Sequence, residues 1–182
     1  MKKVCIRVSW VVGALLAVGS PAYAQQAVTL TDTSQTTTLT ANVSEQARVT
    51  VPAGVTFNVT NVTAATAAAG ASVTVESIVL STATKQLRVS LQGNAASFTP
   101  PVALATTWSA GDVTWNAATW TDATGASGTL SNSAYTAVAT CAADATGCST
   151  TGLVFTLGAK PTVNRAGNHT LVVTWKFESI GA

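Results

Sequence analysis

The chain is poor in charged residues, in histidine and in recognisable catalytic motifs. Only 9% of its 182 residues are charged, and it contains a single histidine, His169. General acid–base catalysis and metal binding both draw on these residue types, so there is little from which to build an active site. The sequence also has no G-x-S-x-G elbow, no H-E-x-x-H motif and no Walker loop. We therefore predict that the protein is not an enzyme and holds neither a cofactor nor a metal.

The few polar residues that could carry chemistry have simpler interpretations. His169 falls at the start of the last predicted strand with the parity of the core face, where a hydrogen-bonded structural histidine is the commoner role. Asp112, Asp122 and Asp144 lie in loop-like sequence without the spacing of a calcium loop. We interpret them as turn aspartates.

The first 24 residues have the layout of a secretory signal peptide. Lys2, Lys3 and Arg7 precede an apolar run over 8–18, and an A-x-A site ends at Ala24. The apolar run is too short to span a bilayer comfortably. We therefore predict cleavage after Ala24, a single mature domain over 25–182, and export to the periplasm, the cell surface or the extracellular space with no remaining membrane span.

Removal of the leader also changes the charge balance. It takes away three of the nine basic residues and none of the seven acidic ones, leaving six against seven. No basic patch remains that would hold nucleic acid, so we predict no nucleic-acid partner.

Two cysteines remain after processing, Cys141 and Cys148. In an exported protein such a pair is expected to form a disulfide, here closing a small loop. By loop entropy a bridge of this size stabilises the fold by roughly 2–3 kcal/mol. A metal site is the alternative, but two cysteines without a neighbouring histidine do not complete one.

The sequence is rich in threonine, valine and alanine, arranged in short runs that alternate apolar with polar residues. Such alternation predicts half-buried strands. The clearest run is the closing stretch over 168–180, in which Leu171, Val173, Trp175 and Phe177 share one face. Other predicted strands cover 47–51, 55–59, 73–80, 87–91, 113–115, 134–140 and 153–157, with shorter pieces at 28–30 and 39–43.

About nine or ten short strands without an amphipathic helix predict an all-β fold. We expect an antiparallel two-sheet sandwich with Greek-key connections, Ig-like or jelly-roll-like. Two hairpins are predicted, one pairing 47–51 with 55–59 and one pairing 134–140 with 153–157 around the cysteine loop. Residues 25–34 are predicted to form an N-terminal arm.

Trp108 and Trp120 are the candidate ligand-contact residues. Both lie in loop-like sequence, and an indole face packs well against the C–H face of a sugar. The alternative is that they fill the core, as Trp115 is expected to do because it shares parity with Val113.

The segment A-G-N-H-T-L-V-V-T-W-K-F over 166–177 resembles the final strand of known bacterial surface proteins. Fimbrial and spore-coat-type subunits end in a similar A-G-x-Y-T pattern, and WxL surface proteins end in a similar T-W-x-L. His169 stands where these families have tyrosine, and Phe177 stands where WxL proteins have leucine. The resemblance implies an exported, non-catalytic protein that is displayed or assembled at the cell surface.

These observations lead to two functional expectations. The first is a structural or adhesive surface protein that pairs strand edges with copies of itself or with other surface proteins. The arm over 25–34 would be the donated segment, with Val28 and Leu30 as its apolar anchors. The second is a module that binds polysaccharide or cell wall through Trp108 and Trp120.

Overall fold

The computed structural model describes residues 30–31 and 35–181. The predicted signal peptide and Val28 lie outside the described residues. The chain divides into two units, residues 1–41 and 42–182, and every strand reported below belongs to the second. In the first unit, residues 35–41 are exposed and have no regular secondary structure.

Eleven strands are found in the described part of the chain, and every pairing between them is antiparallel. One 3-10 turn, Ala110–Asp112, precedes the fifth strand. The fold is therefore all-β, as predicted. The strands are β1 (Gln46–Thr50), β2 (Thr66–Ala67), β3 (Ala71–Val79), β4 (Gln86–Gly93), β5 (Val113–Trp115), β6 (Ala123–Gly125), β7 (Gly128–Thr129), β8 (Thr136–Cys141), β9 (Gly147–Leu153), β10 (Phe155–Leu157) and β11 (Val173–Ile180).

The sandwich contains three sheets, and its longer strands lie in two of them, one ordered β1-β3-β9 and the other β11-β4-β8-β6. Their apolar residues alternate with polar ones, so each sheet turns one face inward. In β3, Val73 and Val75 are buried at 0% and 1% exposure while Thr74 between them is only partly buried. In β4, Val89 and Leu91 are both at 0%. Burial of these side chains removes apolar surface from water and is the main stabilising contribution.

The third sheet is small and is ordered β2-β10-β5-β7. β9 and β10 are separated only by Val154, so the chain passes from one sheet to another at that residue. The side chain of Asn116 holds the crossing, because its Oδ1 accepts from Val154 N at 2.8 Å and its Nδ2 donates to Gly152 O at 3.1 Å.

Neither predicted hairpin forms. β1 pairs with β3, and residues 51–59 join no ladder, because the nine-residue β3 offers β1 a longer partner than the segment after Pro52 does. β8 pairs with β4 and β6, whereas β9 pairs with β3 and β10 pairs with β2 and β5. The cysteine loop is therefore a crossing between sheets.

Two predicted strands also differ in extent. Residues 39–43 have no strand structure and are exposed. The last strand begins at Val173 rather than near Asn168, because the residues before it pair only through an isolated bridge between Thr99 and Thr170.

Candidate binding groove

The last strand, β11, lies at the end of its sheet. It pairs with β4 along its whole length, from Val173 opposite Gly93 to Ile180 opposite Gln86. In the order β11-β4-β8-β6 its other edge has no strand partner among the described residues. An edge of this kind presents unpaired backbone N–H and C=O groups, which can accept a further strand.

Side chains on the inner face of the sheet are fully buried at β4 but only partly buried at β11. Trp175 lies directly opposite Leu91 and Phe177 directly opposite Val89, so the members of each pair share a face of the sheet. Leu91 and Val89 are fully buried, whereas Trp175 and Phe177 are only partly buried. The two aromatic rings stack at 14° with centroids 6.5 Å apart. Apolar side chains on the inner face therefore reach the surface where β11 ends the sheet.

The segment over 51–62 forms the opposite wall. Its apolar side chains Phe57 and Val59 are partly buried against the core, and Val62 O accepts a hydrogen bond from Lys160 N at 2.6 Å. The segment follows β1, the edge strand of the facing sheet. One wall of the gap is therefore the edge strand β11 with the residues before it, and the other is the irregular segment that follows the edge strand β1.

Between these walls lies a groove of about 1040 Å³, called the open groove below. Its walls come from residues 52–62 and 163–175, and its floor reaches core side chains including Leu91, Leu130 and Phe155. From β11 the lining includes Val173 and Trp175, and the wall before that strand adds polar residues such as Asn164, Arg165 and Asn168. An extended peptide can add to a free strand edge when apolar surface lies beside it.

One end of the groove is braced by a network around His169. Its Nδ1 lies 2.7 Å from Thr107 Oγ1, its Nε2 lies 3.1 Å from Arg165 O, and its ring stands edge-on to Trp108. Both ring nitrogens thus have partners, the structural role expected for this histidine. Gly167 beside it has φ +130, a backbone angle for which glycine is suited.

Among the described residues, three carboxylates have a lowered pKa, and each is in an ion pair. The hydrogen bond from Lys85, with others from Ser81, lowers the pKa of Glu45 to about 2. Hydrogen bonds from Lys176 and Arg88 hold the pKa of Glu178 below its ordinary value. These groups stay ionised at neutral pH, which is unsuited to a general acid.

Asp112 belongs to a separate cluster. Partial burial by itself would raise the pKa of its carboxyl group, but hydrogen bonds from Lys160 and from Ser109 together outweigh that effect and lower it. The Lys160 Nζ to Asp112 Oδ2 distance is 2.8 Å, and Ser109 N donates to the same oxygen at 2.7 Å. Asp112 is therefore held as a turn-stabilising carboxylate.

The two tryptophans predicted to contact a ligand are both buried. Trp108 is 4% exposed, and its Nε1 donates to Gly158 O at 2.9 Å, while Trp120 is 8% exposed. Trp108 lines the open groove, but at 4% and 8% exposure neither ring presents the broad face that stacking on a sugar needs. Trp115 is buried as expected, at 3%. The glycan-binding hypothesis gains no support from these residues.

The sequence placed Trp175 correctly on the inward face of its strand but carried no sign that this strand lies at an open edge. Edge position depends on the order of strands in the sheet, which a single sequence does not reveal.

The predicted disulfide between Cys141 and Cys148 is present. Cys141 ends β8 and Cys148 lies in β9, so the bridge joins the two sheets of the sandwich. Of the predicted arm anchors, Leu30 is 89% exposed and Val28 lies outside the described residues.

The fold and groove define a class, an antiparallel β-sandwich in which a groove opens beside the start of the edge strand β11. No protein-family model, curated protein or solved structure matches the chain. Among the described residues, no helix is long and apolar enough to cross a membrane. That part of the chain also contains no group of three or more histidine, cysteine, aspartate or glutamate side chains placed to hold a metal ion.

Proposed function

We propose that this protein is an exported, non-catalytic structural subunit that assembles with copies of itself by strand addition. The observation that carries the proposal is the open groove, where apolar core side chains lie beside Val173 and Trp175 at the start of the edge strand β11. A strand inserted there would cover Trp175, and its continuation along the edge of β11 would cover Phe177.

The arm over 25–34 is the proposed donor. Val28 and Leu30 are two residues apart, so in an extended strand both side chains point to the same face. Leu30 is 89% exposed and thus gains burial on insertion. Ten residues in a strand span about 33 Å, enough to cover the eight residues of β11.

Assembly of the mature chain tests the proposal. We expect wild-type protein to form filaments or oligomers visible by electron microscopy and sedimentation. Deletion of residues 25–34, or the double substitution Val28→Asp and Leu30→Asp, should abolish them because a charge cannot enter the apolar groove without a large desolvation cost.

The matched control replaces two threonines of the same arm, Thr29→Asp and Thr31→Asp, which alternate with the anchors and point away from the groove floor. This variant should still assemble. Assembly of the arm-deleted protein at wild-type yield would refute the donor role.

A further inference from the structure

Charged side chains are nearly absent from the lining of the open groove. Of the described residues that line it, Arg165 alone carries a permanent charge. The two segments joined by the Thr99–Thr170 bridge, 94–109 and 161–175, contain no aspartate or glutamate. The groove therefore has one positive charge at this end and no negative charge beside it.

The guanidinium group of Arg165 also keeps free donors. The residue is exposed, and it takes part in none of the salt bridges found among the described residues. One of its N–H groups donates to Asn164 O at 2.8 Å. A guanidinium presents its N–H donors in a planar fork, which matches the two oxygens of a carboxylate. Arg165 can therefore bind an anionic group at the mouth of the groove.

The rest of the lining is largely apolar and includes several aromatic rings. Phe57 and Trp175 lie on opposite walls, and Phe98, Trp108 and Phe155 are buried at the floor. The groove volume of about 1040 Å³ is ample for a small ligand, since such sites usually enclose about 300–1,000 Å³. Transfer of a hydrocarbon tail from water to this surface is favourable. The groove thus combines an apolar floor with a single cation at its mouth.

We infer that the open groove of the unassembled subunit binds a fatty acid. The hydrocarbon tail lies on the apolar floor, and the carboxylate pairs with Arg165. One guanidinium balances the single charge of a carboxylate, whereas a phosphate monoester carries about two negative charges at neutral pH. Binding requires the groove alone, so it occurs whether or not a strand is added. It competes with strand addition, because the tail and an inserted strand cover the same apolar surface.

Binding is measured on the mature chain carrying Val28→Asp and Leu30→Asp, which does not donate its arm. The probes are octanoate, decanoate and laurate at neutral pH, below the concentrations at which they form micelles. Decanol is the neutral counterpart of decanoate. Trp108 and Trp175 line the groove, so tryptophan fluorescence reports its occupancy. Isothermal titration calorimetry gives the stoichiometry.

We expect one decanoate per chain and a Kd that falls about 10-fold for each two carbons added to the tail. Arg165→Gln should raise the Kd of decanoate about 10-fold and leave that of decanol unchanged, because only the carboxylate uses the guanidinium. The matched control is Arg48→Gln, at an exposed arginine of β1 that does not line the groove. It should change neither Kd.

A second pair of variants tests the apolar floor. Phe57→Ser should weaken decanoate and decanol alike, by about 10-fold, because both tails lose the same apolar contact. Leu104→Ser, at a fully exposed leucine outside the groove, should leave both Kd values unchanged. Circular dichroism checks that each variant is folded, and the Arg165 comparison decides the outcome even if Phe57→Ser is not.

Arg165→Gln with equal effects on decanoate and decanol would overturn the inference. Saturating decanoate should also slow assembly of the wild-type mature protein, and an unchanged rate would place the bound tail outside the groove. Failure of every probe to bind would overturn fatty-acid binding and leave strand addition standing. Binding as expected, together with normal assembly of the arm-deleted protein, would refute the donor arm and leave fatty-acid binding standing.

Discussion

The two sides of the sandwich differ in how the sheets meet. Where β8 meets β9, the Cys141–Cys148 disulfide joins the sheets, and Thr121 and Ser149 exchange backbone hydrogen bonds of 2.8 and 3.2 Å. Where β11 faces the segment over 51–62, the structure describes no strand pairing across the gap. Core side chains are sealed on the first side and reach the surface on the second. The comparison shows that the sandwich is complete on one side only.

The difference has an energetic consequence. Cys141 is 0% exposed and Cys148 4%, so the closed side contributes burial as well as a covalent link. On the open side, each partly buried ring in β11 keeps some apolar surface in contact with water, at roughly 25 cal/mol per Å². A binding partner could remove this apolar surface from water, and strand addition would do so.

The largest expected effect contrasts Leu91 with Trp175, which lie opposite each other on β4 and β11. Leu91→Ala should lower the free energy of unfolding by about 2–5 kcal/mol, because it leaves a cavity in a fully buried site. Trp175→Ala should cost the monomer less than about 2 kcal/mol despite removing a larger side chain, because the ring is already partly in water. Urea denaturation followed by circular dichroism measures both. If the two variants lost the same free energy of unfolding, Trp175 would have to be as well buried in solution as Leu91, and the open side would be closed.

Loss of the disulfide should have the next largest effect. Cys141→Ala with Cys148→Ala should lower the free energy of unfolding by about 2–3 kcal/mol, since the unfolded chain regains the freedom of the closed loop. Thermal unfolding with and without reductant measures the loss. The reductant should destabilise wild-type protein and leave the double variant unchanged. A variant as stable as wild-type would show that the closed side does not depend on its covalent link.

The smallest expected effect is a loss of stability at acid pH, through Glu45 and through Glu178 on the open-side strand β11. Glu45, next to β1, has a pKa lowered to about 2, and the pKa of Glu178 in β11 is lowered too. A carboxyl group with a lower pKa in the folded state than in the unfolded state stabilises the fold above its unfolded pKa. That contribution is lost as the pH falls from about 4.5 towards 2, whereas the disulfide is unaffected.

The melting temperature should therefore fall over this pH range, and it should fall less in the Glu45→Gln variant. The matched control is Glu76→Gln, at a glutamate in β3 that forms none of the salt bridges found among the described residues. This control should lose as much melting temperature as wild-type protein does. A melting temperature that is the same at about pH 2 and about pH 5 would contradict the assignment.

Much of the fold could be predicted from the sequence, because period-two alternation is a local signal. It correctly placed strands at β1, β3, β4 and β5 and the inward face of β11. The hairpins could not be predicted, since pairing depends on which distant strand competes for each edge. The segment over 55–59 has strand-like alternation but no ladder for this reason.

The candidate site was predictable only in part. The sequence identified the arm and the closing strand as separate features, and the structure shows the groove beside that strand. Trp108 and Trp120 were selected for their loop-like surroundings, but nearby segments pack over both rings and bury them. Side-chain burial within loops depends on long-range packing, which local composition does not report.

Hydrogen exchange of the β11 amides tests the central claim most directly. Measured by mass spectrometry on monomeric and assembled mature protein, exchange over residues 173–180 should slow strongly on assembly, because the open edge gains a strand. Exchange in β9, on the closed side, should stay the same. Unchanged exchange in β11 of the assembled protein would contradict the claim that the open groove is where copies of this chain join.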